Sequence, residues 1–158
     1  MSAAHLQGLL DAAAARCRAR GPGTDHHFKV TVFPEDEDLL AALGREGSER
    51  IRHEAAGPWQ AEALRALRQR ITQPRPTRTR ADVSRRLRAW LSGTPRGQPD
   101  PDPVADAIAD AILDDLDDLL GPDWHGEDSP LLPDAPYAEA TLLLGAPGRL
   151  LLELSLDG

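Results

Sequence analysis

An intramolecular disulfide is closed to this chain, because Cys17 is its sole cysteine. Any core must therefore hold by packing alone. Aromatic side chains make up only 4% of residues, and the only one inside the arginine-rich stretch, Trp90, stands at helical spacing with Val83 and Leu87 as a core residue, so that stretch lacks the stacking platform on which sequence-independent binders lay single-stranded bases. Lysine is nearly absent as well: of 18 basic residues only Lys29 is not arginine. That bias, with abundant Ala, Gly and Pro, fits a GC-rich bacterial genome. Long apolar runs do not occur. Asp11 and several arginines interrupt the stretch Ser2 to Arg20, against a secretory leader, and nothing elsewhere approaches a membrane span. The expected compartment is the cytoplasm, with no membrane partner.

Catalytic signatures are equally thin. None of Ser48, Ser84, Ser92, Ser129 and Ser155 sits in a G-x-S-x-G elbow, and neither the dinucleotide-binding nor the phosphate-binding glycine loop occurs. His53-Glu54-Ala55-Ala56-Gly57 begins like a helical zinc-protease motif but has Gly57 where a second histidine is needed. His26 and His27 stand beside Asp25, yet adjacent strand residues point to opposite faces and would not share one ion. Asp114, Asp115 and Asp118 have a spacing suited to magnesium diphosphate, but no second aspartate cluster accompanies them. No catalytic residue, metal ligand or cofactor is assigned. A small hydrolytic or metal-dependent enzyme built near His26, His27 and His53 is the third-ranked expectation.

What the chain does contain is Ala and Leu at helical spacing, punctuated by 14 prolines and 13 glycines. Ser2 caps a first helix whose apolar positions are Leu6, Leu9, Leu10, Ala13 and Cys17, which Gly21-Pro22-Gly23 stops. On that face Cys17 reads as a small buried hydrophobe. Phe28, Val30 and Val32 then alternate with polar residues, a half-buried strand over 27–33. A second helix carries Leu39, Leu40 and Leu43, and Gly44 and Gly47 are expected to break it before a short helix from Ser48. Pro58 opens a helix bearing Ala63, Leu64, Leu67 and Ile71, and a further helix bears Val83, Leu87, Trp90 and Leu91. Asp102-Pro103 starts the widest apolar face, from Val104 to Leu120. Loops are expected at 72–79, 92–101 and 121–136.

The last segment reads as a hairpin with leucines alternating on both strands. Opposed residues share a face, so aligning the two rows pairs Leu144 with Leu150 and demands an odd loop or a bulge, with Gly148 supplying a positive φ. The expected fold is one α+β domain over 1–158. Four to six short helices cover one face of a small, mostly antiparallel sheet that includes this C-terminal hairpin.

Charge is partitioned along the chain. Residues 1–96 carry 17 basic against 11 acidic side chains, whereas 97–158 carry Arg149 against 15 acidic ones. Arginine concentrates between Arg65 and Arg96, where Arg65, Arg68, Arg70, Arg75, Arg78, Arg80, Arg85, Arg86, Arg88 and Arg96 are accompanied by a single acid, Asp82. Opposite the leucines of the Asp102–Leu120 helix lie Asp106, Asp110, Asp114 and Asp117, and like charges at this spacing cost about 0.2–0.5 kcal/mol per pair. Such a row invites a positive partner, either the arginine run of the same chain or a basic protein from outside. The leading expectation is a non-catalytic bacterial accessory or regulatory protein that binds another protein through these charged surfaces. A sheet edge offers a route to a homodimer. The runner-up is a nucleic-acid-binding protein using the arginine run.

Overall fold

The computed structural model describes residues 2–21, 25–54, 57–93, 101–131 and 137–157. Arg96, with most of the 92–101 loop, and residues 55–56 and 132–136 lie outside that set. The Ser2 hydroxyl accepts from the His5 N–H and starts α1 (Ala3–Arg20), whose buried face is Leu6, Leu10, Ala13, Ala14 and Cys17. β1 (Asp25–Phe33) follows, then α2 (Leu39–Glu54) and α3 (Pro58–Thr72). A two-residue strand, β2 (Thr77–Arg78), leads into α4 (Arg80–Leu91). Thr79 and Asp82 cap α4 reciprocally, each side chain taking the other's backbone N–H. Asp102 caps α5 (Pro103–Leu120), and β3 (His125–Asp128), β4 (Tyr137–Leu144) and β5 (Arg149–Asp157) complete the chain.

All five strands form one antiparallel sheet in the order β1-β5-β4-β3-β2. The α+β class and the C-terminal hairpin are as expected. The helices differ in one respect: they cover both faces. On the first face Phe28, Leu143, Leu150, Leu152 and Leu154 join α1, α4 and α5 in a core that contains Trp90 and Trp124. On the second, Phe33, Leu142 and Leu151 join Ala42 and Leu43 of α2, Leu67 and Ile71 of α3, and Leu131. A strand buried on both sides reads as an unbroken apolar run rather than an alternation, and Leu142–Leu144 and Leu150–Leu152 are such runs.

The hairpin register follows from this. Leu143 pairs with Leu150 and Leu144 with Arg149, across a four-residue connection closed by the Gly145 N–H on the Gly148 carbonyl. The expected pairing of Leu144 with Leu150 is thereby replaced, because both phases of each strand have a core to enter. Gly148 does not adopt a positive φ. The connection instead needs glycine for closeness: a Cβ at Gly145 would stand 1.9 Å from the Leu120 carbonyl, and one at Gly148 2.8 Å from that of Leu119. The tip of the hairpin is seated on the end of α5.

Other boundaries also moved. α2 runs through Gly44 and Gly47 without a break. A Cβ at Gly47 would lie 2.7–2.9 Å from the methyls of Leu67 and Leu131, so the residue permits α2 to approach its neighbours closely. The expected loops at 72–79 and 121–136 contain β2 and β3, which pair with each other. Among the described residues no helix is long and apolar enough to cross a membrane.

Candidate interaction surface

The basic and acidic stretches, apart in sequence, meet where α4 lies along α5. The capped start of α4 positions Arg80, whose guanidinium donates to both oxygens of Asp117 at 3.0 and 2.8 Å. Two turns on, Arg88 is held by the Ser84 hydroxyl at 3.1 Å, donates to Asp106 at 2.9 Å and also bonds Asp110. Asp117 additionally accepts from the Trp124 indole N–H at 2.8 Å. Arg80, with help from that indole, holds the Asp117 carboxyl below the usual carboxylate range, and the carboxylates in turn raise the Arg80 and Arg88 guanidiniums.

A second group of arginines is fixed at the β2–β3 edge. Arg78 forks onto Asp128 at 3.1 and 3.0 Å, with Arg86 3.8 Å from the same carboxylate, and Arg75 reaches Glu127 at 3.2 Å. Arg70 donates to the Pro130 carbonyl and Arg85 to Asp82 on its own helix. Each exposed pair contributes about 0.2–1 kcal/mol, but together they order an edge that has little apolar packing. Arg65 and Arg68 differ: both are exposed on α3 with no ion pair among the described residues.

The aspartates of α5 therefore have unequal surroundings. Asp106 and Asp110 share one guanidinium while their side chains stay 54% and 65% exposed. Asp114 and Asp118 are exposed and make no ion pair among the described residues. Asp115, by contrast, is buried on the α1 side, where one oxygen lies 2.5 Å from Nδ1 of His5. A third ionic group links α1 to the start of α5: Asp102 takes the Ala105 N–H and bonds Arg16 at 2.8 Å and Arg20 at 2.5 Å. These contacts, the Ala105 N–H foremost, lower its carboxyl to about 2. No sequence pattern pointed to this cluster, because its members lie more than eighty residues apart.

The histidines are dispersed. His26 is buried on the first face of the sheet, His27 is exposed and 3.0 Å from Asp25, and His53 is exposed near the end of α2. Among the described residues no three His, Cys, Asp or Glu side chains gather as a metal site. The outer edge of β1 is partly occupied: the Gln7 amide donates to the Phe28 carbonyl at 2.9 Å and accepts from the Val30 N–H at 2.9 Å, while Arg18 donates to the His26 carbonyl.

No family model, curated protein or solved structure matches the chain.

Proposed function

We propose that the protein is a non-catalytic accessory or regulatory protein that acts by binding another protein, whose basic segment meets the outer side of α5. One observation carries this reading: the aspartates of α5 outnumber the guanidiniums that answer them. Arg80 and Arg88 face Asp106, Asp110 and Asp117, and Asp114 and Asp118 are left open to solvent. The last of these lie at the negative end of the helix dipole, where anions are disfavoured and a cation is welcome. The arginine-rich, lysine-poor composition is in keeping with a GC-rich bacterial genome.

The nucleic-acid reading draws less support. A guanidinium forked onto a carboxylate adds little net positive field, and among the described arginines of the run that leaves Arg65, Arg68 and Arg70, whose bond is to a carbonyl, as the unanswered charges of α3. A homodimer through β1 would have to displace the Gln7 amide, which occupies the Phe28 carbonyl and the Val30 N–H in the middle of that edge.

A short arginine- and lysine-rich peptide is the direct probe. It should bind at low salt, weaken as salt rises, and bind roughly three- to tenfold more weakly to a double variant carrying Asp114→Asn and Asp118→Asn. These two side chains hold no ion pair, so their replacement leaves the fold intact. Peptide binding indifferent to both salt and the substitutions would overturn the proposal, as would a preference for a duplex oligonucleotide over the peptide.

A further inference from the structure

Away from the charged helices, the first face of the sheet ends in a cavity of about 260 Å³. It lies where α1 ends, β1 begins and α4 stops, and its lining includes Cys17, Arg20, His26, Leu91, Ser92 and Leu156. His26 is the unusual member. Its side chain is only 4% exposed, and neither ring nitrogen has a hydrogen-bond partner. Buried polar atoms nearly always find a partner. A buried imidazole with no partner for either nitrogen among the described residues, at the wall of a cavity, is the polar group there that an entering molecule would satisfy.

Chemistry narrows what enters. Burial, and after it the charge of Arg18, holds the imidazole below the ordinary histidine range, so the ring is neutral near pH 7. A neutral imidazole has one N–H and one lone pair, which suits a hydroxyl group, able to accept from one or donate to the other. An anion would find little charge here. Arg20 is held by Asp102 at 2.5 Å, and Arg18 is turned to the His26 carbonyl and Asp25. The Cys17 thiol is raised by burial, faces the Trp90 and Leu91 carbonyls, and adds no charge. Leu91 and Leu156 supply apolar walls, and His26 itself lies edge-on to Phe28, with centroids 6.0 Å apart. A dry cavity of about 150 Å³ suffices for benzene, so a single-ring molecule has room.

We infer that this cavity is a binding site for a small uncharged molecule with an apolar body and a hydroxyl group, oriented by His26. The inference is independent of the acidic face of α5.

Phenol is the probe, with benzene and benzoate as comparison arms. Titration of the full chain should shift the two ring nitrogens of His26 saturably in long-range ¹H–¹⁵N spectra and raise the thermal midpoint. Benzene should bind about tenfold more weakly, the value of one hydrogen bond. His26→Phe should remove the preference for phenol over benzene, and Leu156→Trp, which fills the cavity from the position paired with His26 on β5 and retains His26, should block both. Far-ultraviolet circular dichroism checks that each variant folds. No saturable shift of the His26 nitrogens would overturn the inference, as would equal affinity for phenol and benzene. Tighter binding of benzoate would replace the neutral ligand class with an anionic one.

Discussion

The two faces of the sheet solve the same problem with different means. The first is covered by three helices and includes Phe28, Trp90, Trp124 and most of the buried leucines. The second is covered by the α2–α3 pair alone, with a smaller core around Phe33, Leu43, Leu67, Leu142 and Leu151. Where packing is deep, polar groups can be left over, as His26 and the Trp90 indole nitrogen are. Where packing is thin, an ionic group bridges helix and sheet: Arg50 of α2 donates to both oxygens of Glu153 on β5, at 2.9 and 2.7 Å, and also to Glu46, while the buried Thr31 hydroxyl of that face has no partner among the described residues. Both cores tolerate a polar group without a partner, and the thin one adds an ionic bond across its layer.

The largest test of that contrast is a pair of equal truncations. Leu116 and Leu43 are both fully buried, one in each core. Leu116→Ala should cost about 4–5 kcal/mol, because three helices and the sheet surround the hole and cannot close it. Leu43→Ala should cost about 2–3 kcal/mol, because a two-helix layer can settle toward the sheet. Urea unfolding of both variants measures the difference. Equal losses would mean that the two faces collapse alike.

A smaller effect separates two glycines of α2. Gly44 has open space around it, whereas a Cβ at Gly47 meets Leu67 and Leu131. Gly44→Ala should stabilise by about 0.5–1 kcal/mol through helix propensity. Gly47→Ala should destabilise by about 1–2 kcal/mol through overpacking, although the atoms it meets are methyl ends of flexible side chains. Thermal unfolding gives both signs in one experiment. A stabilising Gly47→Ala would show that the thin face has slack to give.

These glycines also mark where sequence reasoning stopped. A glycine in a helical run reads as a break from propensity, but the same missing Cβ serves a close approach that only the fold reveals. Helix starts were legible at Ser2 and at Asp102-Pro103, because a cap is a local bond. β1 and the hairpin were legible through alternation. β2 and β3 were not: Thr77-Arg78 and His125-Gly126-Glu127-Asp128 have no apolar period, and ladder bonds with the Arg75–Glu127 and Arg78–Asp128 pairs hold them in place. The candidate surface was half legible. Helical spacing put Asp106, Asp110, Asp114 and Asp117 on one side of α5, but no spacing rule says that Arg88 will stand over two of them and none over Asp114. Such pairings come from helix packing, which is set by the buried faces.

The finest distinction between the faces concerns acid. On the first face Asp102 ties α1 to α5 through Arg16 and Arg20, and its carboxyl is lowered to about 2 from an ordinary value of 3.8. The unfolded chain therefore takes up a proton at this residue before the folded one does. The stabilisation is complete above pH 4 and is lost as pH falls through the interval toward 2. Asp102→Asn removes that interval's contribution, so the variant should be less stable than the parent at pH 6 and should lose less on going from pH 4 to pH 2. Replacing Glu153 by Gln on the second face tests the other ionic group, where the dominant bond comes from Arg50. Unfolding midpoints collected across the acid range for the parent and for Asp102→Asn decide the matter. Parallel curves would show that Arg16 and Arg20 make no difference to the acid stability of the first face, and that its depth alone holds α1 against α5.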